Sequence, residues 1–154
     1  MLDIGCYAVS VCRWLFAAEP RRVVATLERD PRFGTDRQAS AILEFDRGVG
    51  TFTVATQLAS YQRVSVLGTQ GWIEVEIPFS PPPDQPSRVF HRAGAELAEL
   101  VIEPADQDTI QADRFSEAVR RGRPLPTPLS DAVANMKVID AVFASAASGG
   151  WVEC

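Results

Sequence analysis

ASAILEFDRGVGTFTVATQL, residues 39–58, alternates apolar and polar side chains with a period of two. Ala39, Ala41, Leu43 and Phe45 fall on one face, Asp46–Arg47–Gly48 has the composition of a tight hairpin turn, and the chain then runs back through Phe52 and Val54. Alternation on both sides of a short polar turn specifies two antiparallel strands with one buried face.

The same period extends outward. VVATLERD precedes the hairpin across the turn-rich DPRFGTD, and RVSVLG, the turn Thr69–Gln70–Gly71 and WIEVEIPF follow it. Short strands joined by short turns are antiparallel neighbours. One set of positions (Leu43, Phe52, Val54, Val64, Val66, Ile73, Val75, Ile77) is expected to lie under helices. The opposite set, with Thr51, Thr53, Arg63, Trp72, Glu74 and Glu76, is polar but carries a large aromatic, which suits a partner surface. SPPPDQP at 80–86 reads as an irregular loop, and SRVFHRAG with AELAELVIEP as a weaker hairpin at an edge.

Helical spacing brackets these strands. Ile4, Ala8, Val11 and Leu15 form one stripe, ended at Glu19–Pro20 because proline disfavours helical geometry at the residue before it. Near the other end, Asp108 with Gln111 suggests a capping box for a helix bearing Ile110, Phe115, Ala118 and Val119, stopped by Gly122 and Pro124. Thr127–Pro128 opens another, with Ala132, Met136, Ile139, Val142 and Phe143 apolar and Gly149–Gly150 at its end. Trp151–Val152 reads as a short strand or tail. The expected architecture is α+β: an open, mostly antiparallel sheet of about six strands with helices packed on one face. No repeat or boundary interrupts it, so residues 1–154 read as one domain.

The 154 residues suffice for a core without staples. A net charge of −5, with no basic run beyond Arg120–Arg121–Gly122–Arg123, argues against a nucleic-acid partner. Cys6, Cys12 and Cys154 form neither a disulfide framework nor a zinc set and read as reduced small apolar residues. No segment has the roughly 18 apolar residues a membrane span needs, so a soluble, cytoplasmic protein is expected.

Few residues could do chemistry. There is no GxGxxG after a strand, no GxxxxGK[ST] and no GxSxG. His91 is alone and reads as an exposed or satisfied side chain on an edge strand. Glu74 and Glu76 share a face as solvated or interfacial carboxylates, and no metal site is expected. Asp3 and Tyr7, one helical turn apart, share a face with Ser10 and Trp14. They admit two readings: an N-cap aspartate with a packing tyrosine, or a phenol that exchanges a proton with a substrate hydroxyl oriented by the carboxylate. A phenol titrates near ~10, so the second role requires a cation.

DIGCY at 3–7, running into RWLF and EPxxV, resembles the opening of the C-terminal domain of the Gfo/Idh/MocA oxidoreductases. FGTDRQASAILEF, YQRVSVLGTQGWIEVEIPF, QADRFSEAVRRG and PLSDAVANMKVIDAVFASAASGGW resemble later segments of that domain, in order. The tyrosine at the end of the D-x-G-x-[HY] motif is similar to the glucose–fructose oxidoreductase and dihydrodiol dehydrogenase branch.

The resemblance implies a substrate-binding and dimerisation domain of an NAD(P)-dependent enzyme acting on a sugar, polyol or diol. Asp3 and Tyr7 map to catalytic positions, and Phe79 is a candidate substrate-binding wall. The cation would be a lysine of a Glu-Lys-Pro motif in the N-terminal Rossmann domain, and that domain is not in this sequence. The expectation is therefore a separated half, inactive alone and binding no cofactor by itself, with NAD or NADP implied for the complete enzyme. Its expected partners are a second copy across the open sheet face, a separate Rossmann domain and a small-molecule substrate. The alternative is a free-standing homodimeric binding module derived from that domain.

Overall fold

The computed structural model describes residues 1–154, which form two compact units, Met1–Leu58 with Thr127–Cys154 and Ala59–Pro126. Within the first lie helix α1 (Gly5–Phe16) and strands β1 (Arg22–Arg29), β2 (Asp36–Phe45) and β3 (Gly48–Ala55). The second contains β4 (Arg63–Leu67), β5 (Gly71–Glu76), β6 (Ser87–Ala93), β7 (Glu96–Ile102) and helix α2 (Gln107–Arg121). Helix α3 (Leu129–Ser148) and the two-residue strand β8 (Val152–Glu153) complete the first unit.

The α+β class and the open antiparallel character agree with the sequence reading; the strand count does not. Eight strands form two four-stranded sheets, ordered β3-β2-β1-β8 and β4-β5-β6-β7. No ladder joins β3 to β4, and residues 56–62 between them adopt no strand.

The hairpin at 39–58 forms as its alternation dictates, with Ala39 opposite Val54, Ala41 opposite Phe52 and Phe45 opposite Gly48. Ala39, Ala41, Leu43 and Phe45 are all buried, beside Val23 and Ala25 of β1, and α1 and α3 cover this face. The helices contribute Val9, Cys12, Val138, Ile139 and Val142. Alanines on the strands let helix backbones approach closely. Gly50 goes further, since a Cβ there would lie 2.8 Å from the Cys12 sulfur. Phe16 stacks on Phe45 at 4.2 Å between ring centroids. Burial of this apolar surface is the main stabilising term, at about 25 cal/mol per Å² removed from water.

The turn between β1 and β2 is built by Asp30. Its Oδ1 accepts from the backbone N–H of Arg32 (2.8 Å) and Phe33 (3.0 Å), and Gly34 takes the positive φ of +69°. Gln57 donates to Asp30 Oδ2 at 2.8 Å. These donors, Gln57 foremost, hold the Asp30 carboxyl below its ordinary range.

Several local expectations shift. The buried stripe of α1 is Gly5, Ala8, Val9, Cys12 and Arg13, while Leu15 is 42% exposed. The Ile4–Ala8–Val11–Leu15 stripe is thus rotated by about one residue, because small side chains are what fit against Gly50 and the strand alanines. Helix α2 is capped by Asp106, not Asp108: its Oδ1 accepts from the N–H of Asp108 and Thr109. On α3, Pro128 occupies the cap position and the buried face is Val138, Ile139, Ala141, Val142 and Ser145, with Met136 exposed. Gly122 and Gly149 close their helices in the left-handed conformation, as read.

In the second unit, strand register sorts the side chains. Arg63, Glu76 and Arg88 form one row across the sheet, Ser65, Glu74, Phe90 and Glu99 the next, and Leu67, Trp72, Arg92 and Leu97 a third, all on one face. Val64, Val66, Ile73, Val75 and Val89 take the other. The strand positions expected under helices divide. Leu43 is fully buried and Phe52 and Val54 pack on the core, whereas Ile73 and Ile77 are exposed. Strand β6, which carries His91, is an inner strand, and β7 is the edge.

Candidate functional site

Helix α1 starts behind a turn at residues 2–4 in which Cys6 N–H donates to Met1 O at 3.0 Å. Ile4 holds the N-cap position and no side chain caps the helix, so Asp3 is not its N-cap. Asp3 is exposed in the turn, and Tyr7, in the first helical turn, is 52% exposed. The two candidates therefore share the start of one helix, on its solvent side. Tyr7 is not part of the sheet-facing core.

The opposite side of that helix is fixed to α3. Asn135 Nδ2 donates to the carbonyl of Cys6 at 3.1 Å, next to Tyr7 in the chain, and Asn135 Oδ1 accepts from Arg13 Nη1 at 3.3 Å. The Arg13 guanidinium is bidentate on Glu19, with both contacts at 2.7 Å, and also reaches Asp131 Oδ1 at 2.9 Å. Fork geometry lets one arginine satisfy several oxygens at once. The hydrogen bonds from Arg13 hold Glu19 below the ordinary carboxylate range, and Glu19 in turn raises Arg13 further above neutrality. Periodicity did not disclose this network, since a buried arginine is not distinguishable from a surface one at helical spacing.

Phe79 belongs to the second unit, in the loop after β5. It is half-buried, its N–H donates to Gln62 Oε1 at 3.3 Å, and its carbonyl accepts from Gln107 Nε2 at 3.1 Å.

The two carboxylates Glu74 and Glu76 have structural partners. Glu76 pairs with Arg63 at 2.6 Å and Arg88 at 3.9 Å, and Glu74 with Arg63 at 3.4 Å, so these carboxylates are members of an ion ladder. Burial raises the Cys12 thiol. No group of three or more His, Cys, Asp or Glu is arranged to hold a metal, and no helix is long and apolar enough to cross a membrane. A dinucleotide cradle of the doubly wound kind needs parallel strands and a glycine-rich strand-to-helix turn. All strand pairings here are antiparallel, so neither sheet forms a cradle of that kind.

A family model described as the GFO/IDH/MocA C-terminal domain matches residues 1–74. An uncharacterized oxidoreductase of Rhizobium meliloti is 43% identical, the match covering 98% of this chain and 47% of the relative. A D-xylose 1-dehydrogenase (NADP(+)) of Haloferax volcanii is 30% identical over 99% of this chain and 47% of its own. Among solved structures, the aldose-aldose oxidoreductase from Caulobacter crescentus, complexed with glycerol, superposes with a TM-score of 0.84 at 28% identity, over 99% of this chain and 46% of that one. The chain spans about half the length of the relatives it matches.

Proposed function

The chain is a C-terminal domain of the GFO/IDH/MocA oxidoreductase family, and from that premise we propose that it is the substrate-binding and dimer-forming part of an NAD(P)-dependent sugar dehydrogenase. NADP is the cofactor favoured, because it is named for the Haloferax volcanii relative. Polyols and diols are the related substrates. In this reading both compact units act together as one domain, and a separate Rossmann domain completes the enzyme in the cytoplasm.

One observation carries the reading: Tyr7 is half-exposed at the start of a helix whose other side is anchored to α3 through Asn135 and Arg13. A reacting group needs both access and a fixed mount. The cofactor, held outside this chain, is the hydride carrier. The part of this chain is proton handling and placement. With a cation from the cofactor domain holding the phenol deprotonated, the Tyr7 phenolate would take the proton of the substrate hydroxyl while the hydride leaves the carbon for the cofactor, and the phenol would return the proton in the reverse direction. Asp3 accepts a hydrogen bond from that hydroxyl or from a lysine of the cofactor domain. Phe79, in the second unit, is a separate candidate for contact with the sugar.

The test is a reconstitution. The purified chain with D-xylose and NADP shows no nicotinamide reduction, and addition of a separately expressed nucleotide-binding half from the Haloferax volcanii relative restores it. Tyr7→Phe then lowers the restored rate by roughly 10²–10⁴-fold, the usual share of general acid–base catalysis. Turnover by the chain alone would overturn the half-enzyme reading, and full activity of Tyr7→Phe would overturn the role of the phenol.

A second reading, a free-standing homodimeric module, is favoured by the outer face of the first sheet. Thr26, Ser40 and Thr53 form a hydroxyl row beside Val24, Ile42 and Thr51, and together they line a shallow open depression. Such a half-apolar surface suits an isologous contact. A monomer in sedimentation at high micromolar concentration would count against dimerisation in either reading.

A further inference from the structure

The loop after β5 turns on one residue. Ile77 has φ +46°, in the left-handed region, and is followed by Pro78. A β-branched side chain rarely enters that region, and a residue ahead of proline is steered toward extended geometry. Such a conformation persists only where the surroundings impose it.

The surroundings here are two glutamines. Gln62 uses its backbone carbonyl to accept from Ile77 N–H (3.3 Å) and its side-chain oxygen to accept from Phe79 N–H (3.3 Å), gripping the chain on both sides of Pro78. Gln107, the first residue of α2 beside the Asp106 cap, donates Nε2 to the Phe79 carbonyl at 3.1 Å. Both backbone polar groups of Phe79 are thus held by side chains. The two amides serve in opposite polarity, as acceptor at 62 and donor at 107.

The geometry points to Gln62 and Gln107 as positioning residues that fix Ile77–Pro78–Phe79 as a rigid strap, presenting the Phe79 ring as a preformed wall to the C–H face of a sugar. Rigidity matters because a ring ordered before the ligand arrives avoids the entropic cost of ordering on binding. The assignment rests on the reading of Phe79 as a substrate wall, and the test separates the two.

Amide hydrogen exchange and ring resonances of Phe79 are followed by NMR in the purified chain. The Phe79 amide is protected in the wild type. Gln62→Glu keeps an acceptor and keeps protection, whereas Gln62→Met lowers it about fivefold, the effect of losing one hydrogen bond. Gln107→Glu replaces the donor with an acceptor and also loosens Phe79, so the same substitution spares one site and harms the other. Ile77→Gly, which relieves the bend and leaves both glutamines, raises exchange less than Gln62→Met does. Wild-type exchange in Gln62→Met, or equal effects of Glu at both sites, would overturn the positioning role, as would exchange in Ile77→Gly matching that in Gln62→Met. D-xylose is then titrated: shifts of the Phe79 ring that weaken in Gln62→Met support the wall. An unmoved ring with the exchange pattern intact would overturn the substrate reading and leave the strap standing.

Discussion

Asp131 Oδ1 lies 2.9 Å from Arg13 Nη2 across 118 residues of sequence, and the arginine it meets is only 7% exposed. One carboxylate thus joins the first helix of the chain to the last. Its partner Glu19 follows the same helix and stays more than half exposed.

Replacing Arg13 tests how much this junction holds. Arg13→Leu is expected to lower unfolding free energy by about 2 kcal/mol, less than orphaning a fully buried charge because Glu19 and Asp131 retain contact with water. Urea denaturation measures it. A change within experimental error would show the network to be incidental.

Acid should loosen the same junction. The carboxyl of Glu19 has a folded pKa below its ordinary 4.5, chiefly through the hydrogen bond from Arg13. Its contribution is therefore complete above that ordinary value and is lost as pH falls from there through the lower folded value. Melting temperatures recorded from neutral pH downward should fall in this window, and Glu19→Gln should flatten the slope without abolishing it, since Asp30 and Asp106 are held down as well.

Ser145 should prove costly to change for its size. It is fully buried on α3, accepts from the Ala25 N–H of β1 at 2.9 Å and donates to Gly150 O at 2.6 Å. Ser145→Ala leaves a buried donor unpaired, and a loss of about 2 kcal/mol is expected by thermal or urea melting. The deleted oxygen is small, so a cavity adds little to this.

Gly71 should tolerate no side chain. A Cβ there would sit 1.8 Å from the carbonyl oxygen of Arg92, a backbone atom of the adjacent strand that cannot swing aside. Gly71→Ala is expected to break the end of the β5–β6 ladder. Faster amide exchange in Trp72 and Ala93 than in the wild type would report it, and unchanged exchange would refute the steric argument.

The strands were legible because alternation is a one-dimensional signal. Ala39, Ala41, Leu43 and Phe45 occupy the buried face their spacing specifies, and the hairpin turns fall where glycine and aspartate cluster. Helix phase was less so. Ile4 and Leu15 are the bulkiest members of the expected stripe, yet Gly5 and Cys12 face the core, Gly5 close against Met1 and Cys12 against Gly50, where there is no room for a larger side chain. The division into two sheets has no signature in pattern at all, since β3 and β4 carry the same alternation and differ only in failing to pair. At the candidate site, the motif marked Asp3 and Tyr7, while the residues that fix their helix, Arg13 and Asn135, lie in the sequence without pattern because their partners come from elsewhere in the chain.

The first unit is assembled from both ends of the sequence, residues 1–58 and 127–154. On the ribosome, a nascent chain that has emerged only as far as α2 carries an uncovered sheet face, with the Ala25 amide still waiting for a serine that has not left the exit tunnel. Closing a loop of this length is slow relative to local contacts, and an open sheet is sticky while it waits. Synthesis at lower temperature, or with a holdase chaperone present, should accordingly raise the soluble yield more for this fold than for one whose core closes in order of emergence.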